Sequence, residues 1–238
     1  MMGALMELQA SPGGDTRFER WWNSEGEWVE PPNQRRGGQS GVQRLVSRDP
    51  DQPILYCKRQ VGHLYRSLRY PFGRPTVLRE RQALLALDRL EIRVPSLIYC
   101  AAQKEAGKWQ ALLVTEALEG FISLQEWYAP NGPHRHDGAL NDKILKQLAF
   151  TLARLHLAGW QHGCCYPKHI FVKVSKRDAE TEVVIALLDL EKSRRRWRTS
   201  AASRHDLRQL LRHREHMPLE DWVLFQQAYL QALGTRAA

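Results

Sequence analysis

No part of this chain is apolar enough to cross a membrane as a helix: the longest purely apolar run, Val183 to Leu188, has six residues. Cysteine is scarce. The 238 residues contain only Cys57, Cys100, Cys164 and Cys165, none in C-x-x-C spacing. A disulfide framework is therefore not expected, and a reducing, cytoplasmic setting is. Met1 to Gly14 lacks a charged n-region and an apolar h-region, so no export signal is expected there. Internal repeats are absent. Acid is in deficit as well, with 26 Asp and Glu against 35 Lys and Arg, a net charge of +9.

What is present is a globular composition, 43% hydrophobic, enough to bury a sizeable core. The basic excess is mostly arginine, and it is concentrated. Nine Lys and Arg face one acid, Asp206, between Lys192 and Arg214. Arginine forks suit phosphate and carboxylate oxygens, so an anionic partner is expected: nucleic acid, anionic lipid or a phosphorylated ligand. A solvated arginine-rich surface is the plain alternative, and composition leaves it open.

Residues 1–24 read as a polar lead-in. Strand-like pieces follow at Glu25 to Glu30, Val42 to Ser47 and Ile54 to Gln60, the first two separated by a glycine-rich turn, Pro31 to Gly41. Helical spacing then predicts a helix over Arg74 to Glu91, with Pro75 in its first turn, where a missing N–H costs little. Glu80 falls on the apolar face of that helix, among Val77, Ala83, Leu84 and Leu87. A carboxylate there either has a partner or stays at the edge, and the pattern leaves both open. Strands are expected at Ser96 to Ala101 and Trp109 to Thr115, and a helix over Leu140 to Ala158 ended by Gly159. The tail, Arg204 to Arg214 and Leu219 to Leu233, is again helical. A strand-rich first half before a helix-rich second half is an α+β pattern of two lobes, residues 25–116 and 117–238, joined near Glu116 to Gly120.

Ile170 to Val174 and Val183 to Leu188 read as a β-hairpin. Antiparallel pairing sets the start of one strand beside the end of the other, so His169 and Asp189 should meet although twenty residues separate them. Before His169 runs a breaker-rich loop, His162-Gly163-Cys164-Cys165-Tyr166-Pro167-Lys168. His156, His162, Cys164, Cys165 and His169 contain nitrogen and sulfur enough for zinc. Their spacing is that of neither a finger nor a ribbon, which makes zinc the minor reading.

The order of these elements resembles the protein-kinase-like fold: glycine-rich hairpin, strand lysine, helix glutamate, hinge, His-x-x loop, hairpin and Asp. It is most similar to the lipopolysaccharide core kinases, the heptose and Kdo kinases with InaA-type proteins among them, over Trp28 to about Leu211. The resemblance implies roles for single positions. Gly37, Gly38, Ser40 and Gly41 correspond to the loop that covers the phosphates, where absent Cβ atoms let N–H groups approach oxygen. Lys58 corresponds to the lysine that grips the phosphates. Its rival Arg59 points to the other face of the strand. Glu80 corresponds to that lysine's partner, and Glu116 to Glu119 to the hinge that meets adenine.

Asp189 corresponds to the Mg²⁺-binding aspartate, and His169 stands where most kinases have a metal-binding Asn; a histidine suits Mg²⁺ poorly and serves better as a weak ligand or phosphate donor. Asp206 either braces the loop or is a plain surface acid. The departure is Cys164. His162-x-Asp would set the catalytic aspartate at that position, and a thiol, mostly protonated at neutral pH, is a poor substitute.

The resemblance therefore implies ATP and Mg²⁺ as cofactors and a sugar hydroxyl of the lipopolysaccharide inner core as acceptor. The work would be done in the cytoplasm at the inner face of the inner membrane. The arginine–aromatic stretch His63 to Phe72 would suit peripheral contact, or else be a loop packed on the next helix. Two other functions stay open. One is a pseudokinase that binds nucleotide or glycolipid without transfer. The other is a nucleic-acid-binding protein, which leaves Lys58, Glu80 and Asp189 unexplained and ranks last.

Overall fold

The computed structural model describes residues 16–35, 37–133, 137–177 and 180–234 of the chain. Five antiparallel strands form the main sheet: β1 (Glu27–Arg35), β2 (Gly38–Leu45), β3 (Leu55–Val61), β7 (Lys108–Glu116) and β6 (Leu97–Glu105), in that spatial order. The β6–β7 turn is Ala106-Gly107, both at positive φ, the geometry that matches strand twist in a two-residue hairpin. Helix α2 (Thr76–Arg89) packs on one face of this sheet through Val77, Ala83, Leu84 and Leu87.

Helix α1 (Thr16–Trp22) covers the other face, where buried Phe18 meets Cys57, Leu112 and Val114. Residues 16–22 thus depart from the polar lead-in expected of 1–24; residues 1–15 lie outside the described chain. A single phenylalanine at a helical position carries the burial, too little signal for a periodicity argument.

The remainder is mainly helical. After β8 (Ile122–Ser123) and the short α3 (Leu124–Trp127) comes α4 (Gly138–Leu157), which buries Ile144, Leu145, Leu148, Leu152 and Leu155 at helical spacing. Complete burial of each such side chain contributes about 1.5–3 kcal/mol. Gly159, at φ +74, ends the helix. β9 (Trp160–Gln161) leads into the loop, and the hairpin β10 (Ile170–Arg177) with β11 (Glu180–Leu187) pairs Ile170 with Leu187. β12 (Arg194–Arg195), α5 (Thr199–Arg212) and α6 (Leu219–Gly234) complete the order.

Two boundaries moved for one reason. Residues 64–75 form a hairpin, β4 (Leu64–Ser67) with β5 (Tyr70–Pro75), in which Pro75 pairs with Leu64. Arg74 and Pro75 therefore belong to a strand and α2 begins at Thr76, whose N–H donates to the His63 carbonyl. Leu68 and Phe72 stand exposed on this hairpin, and the Arg74 guanidinium lies over the Tyr70 ring. The glycine-rich segment is also mostly strand: β1 continues to Arg35 despite Pro31 and Pro32, with register shifts before and after Glu30. Among the described residues no helix is long and apolar enough to cross a membrane.

Candidate active site

Strand alternation decides between Lys58 and Arg59. Arg59 turns to the α1 face, where its Nη2 donates to the Trp21 carbonyl (3.1 Å) and to Ser24 Oγ (2.8 Å). Lys58 turns to the α2 face, and its Nζ donates to Glu80 Oε2 at 2.9 Å. This accounts for a carboxylate on an apolar helix face. A second carboxylate, Glu191 Oε2, lies 3.0 Å from the same Nζ, and its other oxygen is 3.6 Å from His63 Nε2. Burial disfavours the ammonium, yet Glu80, Glu191 and Asp189 together outweigh it and raise the Lys58 pKa, so Lys58 stays charged. Burial pushes the Glu80 carboxyl up, against the pull of Lys58. Three carboxylates around one ammonium leave an excess of negative charge, which a cation would offset.

Glu191 was not among the residues singled out in the sequence. It lies at the centre of a single 3₁₀ turn, Leu190–Lys192, right after Asp189, and reaches Lys58 across the whole length between β3 and that turn. Arg79, one residue before Glu80, holds the Glu191 carbonyl through Nε. A second acid two residues after Asp189 was the available signal.

The hairpin brings His169 and Asp189 together as antiparallel pairing requires, with His169 Nδ1 at 3.6 Å from Asp189 Oδ2. The Leu188 N–H donates to the His169 carbonyl and closes the base of the hairpin. Asp189 itself is left-handed, φ +58, a conformation that costs a non-glycine residue on the order of 1–2 kcal/mol. That strain is maintained at the point where the chain turns from β11 toward Lys58.

The buried titratable groups of the loop before His169 are neutral. Fully buried His162 is pushed down to about 4, by burial above all, and its Nδ1 accepts the Cys164 N–H at 3.2 Å. His162, expected among the catalytic residues, has no exposed surface, so its ring contacts only the protein around it. Cys164 is buried too, and burial with Asp189 nearby pushes its thiol up to about 12. His169 is lowered, mainly by burial. Beneath the loop, fully buried Asp206 of α5 accepts the His162 N–H at 2.6 Å and the Gly163 N–H at 3.0 Å, and lies 3.1 Å from His156 Nε2. It braces the loop and is no surface acid. Gln209, one turn on, adds a brace by accepting the Cys165 N–H at 3.0 Å; its i, i+3 spacing from Asp206 was the missed signal.

The remaining expected positions divide. Gly37 is at φ +73 in the turn with open space where a Cβ would be, as a phosphate-covering position needs. A Cβ on Gly38 would strike the Gly62–His63 backbone at 2.5 Å, and one on Gly41 the Trp28 ring at 2.8 Å, so internal packing already accounts for both. Ser40 Oγ accepts from Gln60 Nε2 at 3.4 Å. At the hinge, the Glu116 N–H donates to the Ser96 carbonyl and the Ala117 N–H to that of Ile54. Neither N–H is free for a base, and the Leu118 carbonyl accepts the Phe121 N–H.

The five residues weighed for zinc do not converge. His156 is turned to Asp206 and Tyr229. Among the described residues, one group could hold a metal ion: Cys164, His169 and Asp189, whose ligand atoms all lie within 4.8 Å of one another. Mg²⁺ is usually held by one or two carboxylates with phosphate oxygens and water. Asp189 fits that role. His169, expected as a second ligand, and Cys164 offer the nitrogen and sulfur that Mg²⁺ avoids.

A family model described as "Lipopolysaccharide kinase (Kdo/WaaP) family" matches residues 19–229. The chain belongs to this family. It is 45% identical over 205 residues to Protein InaA of Escherichia coli strain K12, covering 86% of this chain and 91% of that protein. It is also 28% identical over 94 residues to the lipopolysaccharide core heptose(I) kinase WaaP of Escherichia coli, covering 37% of this chain and 36% of that one. A solved structure of WaaP in complex with acyl carrier protein superposes with a TM-score of 0.66 at 18% identity, over 92% of this chain and 84% of that chain. The two-lobed α+β kinase-like fold is shared: the main sheet with α2 is the N-lobe, and the helical part with the β10–β11 hairpin is the C-lobe.

Proposed function

We propose that this member of the lipopolysaccharide kinase family transfers the γ-phosphate of ATP to a sugar hydroxyl of the lipopolysaccharide inner core, a heptose or Kdo. The observation that carries the reading is the part-buried Lys58–Glu80 pair, close enough to Asp189 to feel its charge. The pair presents an ammonium to the phosphates, with Gly37 in the turn above and Glu116 to Glu119 at the hinge. Asp189 would hold Mg²⁺, which supplies charge neutralisation on the phosphate oxygens. Lys58 must leave Glu191 to reach a phosphate, while Glu80 keeps it oriented. The acceptor hydroxyl faces a protonated Cys164 thiol, so no general base stands there, and transfer relies on positioning through a loose transition state. The exposed arginines of the 192–214 segment suit an acceptor bearing phosphates and carboxylates, and the 64–75 hairpin suits contact with the inner membrane.

Cys164 also favours a second reading, a protein that binds nucleotide without transfer. Rates of acceptor-stimulated ATP consumption separate the two. Under the kinase reading the wild type transfers slowly, Cys164→Ala keeps most of that rate, and Cys164→Asp gains up to roughly 10²–10⁴-fold from a carboxylate base. If neither wild type nor Cys164→Asp transfers phosphate while both bind ATP, the binding-only reading holds. Asp189→Asn should retain the fold and lose the Mg·ATP-induced rise in melting temperature; an undiminished rise would sink the Asp189 assignment.

A further inference from the structure

We propose that Cys164, His169 and Asp189 form a binding site for a thiophilic divalent cation of the zinc type, with room left for a water or anion oxygen as the fourth ligand. The inference rests on the geometry of these residues alone and does not require that the protein transfer phosphate. The three ligand atoms lie within 4.8 Å of one another. A four-coordinate ion with bonds of about 2.0–2.3 Å sets its ligands roughly 3.3–3.8 Å apart, so the trio has to close by about 1.5 Å at most. Three protein ligands with one open position is the composition of reactive zinc sites, whereas structural sites use four.

The donor chemistry points the same way. One thiol, one imidazole and one carboxylate span the soft-to-hard range that zinc accepts, and offer Mg²⁺ only a single preferred atom. The trio is also supported from behind. His169 Nδ1 lies 2.9 Å from the Cys164 carbonyl. A neutral ring places its proton toward that carbonyl and keeps the lone pair on Nε2, which would be the ligating atom, while Nδ1, 3.6 Å from Asp189 Oδ2, carries the proton. The left-handed turn at Asp189 sets its carboxylate beside this ring. Cys164 is buried while His169 and Asp189 are partly open, so an ion would enter from the Asp189 side. On binding, the Sγ–H bond breaks, the proton passes to solvent and a sulfur–metal bond forms, with no change of oxidation state. The site uses the carboxylate proposed to hold Mg²⁺, so zinc and Mg·nucleotide should exclude each other.

Co²⁺ titration of the purified full-length chain, followed by absorption, tests this directly. One Co²⁺ per chain should bind with a near-ultraviolet thiolate-to-cobalt charge-transfer band. Zn²⁺ should abolish the band at one equivalent, and an equimolar amount of Mg²⁺ should leave it in place. Cys165→Ala should keep the band; Cys164→Ala should lose it; His169→Ala should weaken Co²⁺ binding on the order of 10–100-fold. If Cys164→Ala does not fold, Cys164→Ser serves, since an alkoxide gives no such band. A folded wild type without the band, a band that survives loss of Cys164, or displacement by an equimolar amount of Mg²⁺ overturns the proposal. Inactivity toward ATP does neither, because the readout is metal binding.

Discussion

The two walls of this site follow opposite chemistry. On the N-lobe side, Lys58 is charged, part-buried and gripped by two carboxylates, Glu80 at 2.9 Å and Glu191 at 3.0 Å. On the C-lobe side, His162 and Cys164 are buried and neutral, held by backbone hydrogen bonds that end on Asp206. The charged wall can hold an anion and its counterion. The neutral wall sets a protonated thiol at position 164, with the His169 ring and the Asp189 carboxylate beside it.

The largest expected effect breaks the charged wall. Lys58→Met leaves buried Glu80 and part-buried Glu191 without their cation and should destabilise the protein by about 3–5 kcal/mol, read by urea unfolding. It should also remove the Mg·ATP thermal shift. A loss below about 1 kcal/mol would show that the pair is solvated.

The next concerns the neutral wall. His162 sits at about 4 in the fold, against about 6.5 when unfolded. Its folded value is depressed, so the unfolded chain binds the extra proton between these values. The stability it contributes is complete above about pH 6.5 and is lost as pH falls toward 4, on the order of 3 kcal/mol in all. His169, also lowered, adds in the same direction. His162→Gln should flatten this part of the stability–pH curve; an unchanged slope would assign the acid sensitivity elsewhere.

A smaller effect sharpens the contrast within the loop. Cys165 is fully buried in the main core and its N–H is held by Gln209. Cys165→Ser puts a hydroxyl where a small apolar group packs, at a cost of about 1–3 kcal/mol, with Mg·ATP binding unchanged. The smallest effect is a control outside the site. Arg154 pairs with Glu91, whose side chain is 83% exposed. Arg154→Ala should change stability by under about 1 kcal/mol, because an exposed pair gains little over water.

Much of the architecture was legible because its causes are local. Apolar spacing marked α2 and α4, strand alternation separated Lys58 from Arg59, and antiparallel pairing brought His169 to Asp189 before any coordinates. Glu80 announced itself by standing among Val77, Ala83 and Leu84. Other features had no local cause. Phe18 is one aromatic in a seven-residue helix, yet it seals the outer face of the sheet. His63 reaches Glu191 only because the β4–β5 hairpin turns the chain back toward α2.

The sequence by itself determined the main helices, most strands of the sheet and the β10–β11 hairpin, because period and pairing depend on neighbours in the chain, while the resemblance to the family is what singled out Lys58, Glu80 and Asp189. Only the tertiary structure decided that Glu191 shares Lys58, that Asp206 braces the loop from below, and that Cys164 lies beside His169 and Asp189 rather than with Cys165 and His156. Those contacts join segments many residues apart. Whether two such side chains meet depends on how the core between them packs, which no local pattern encodes.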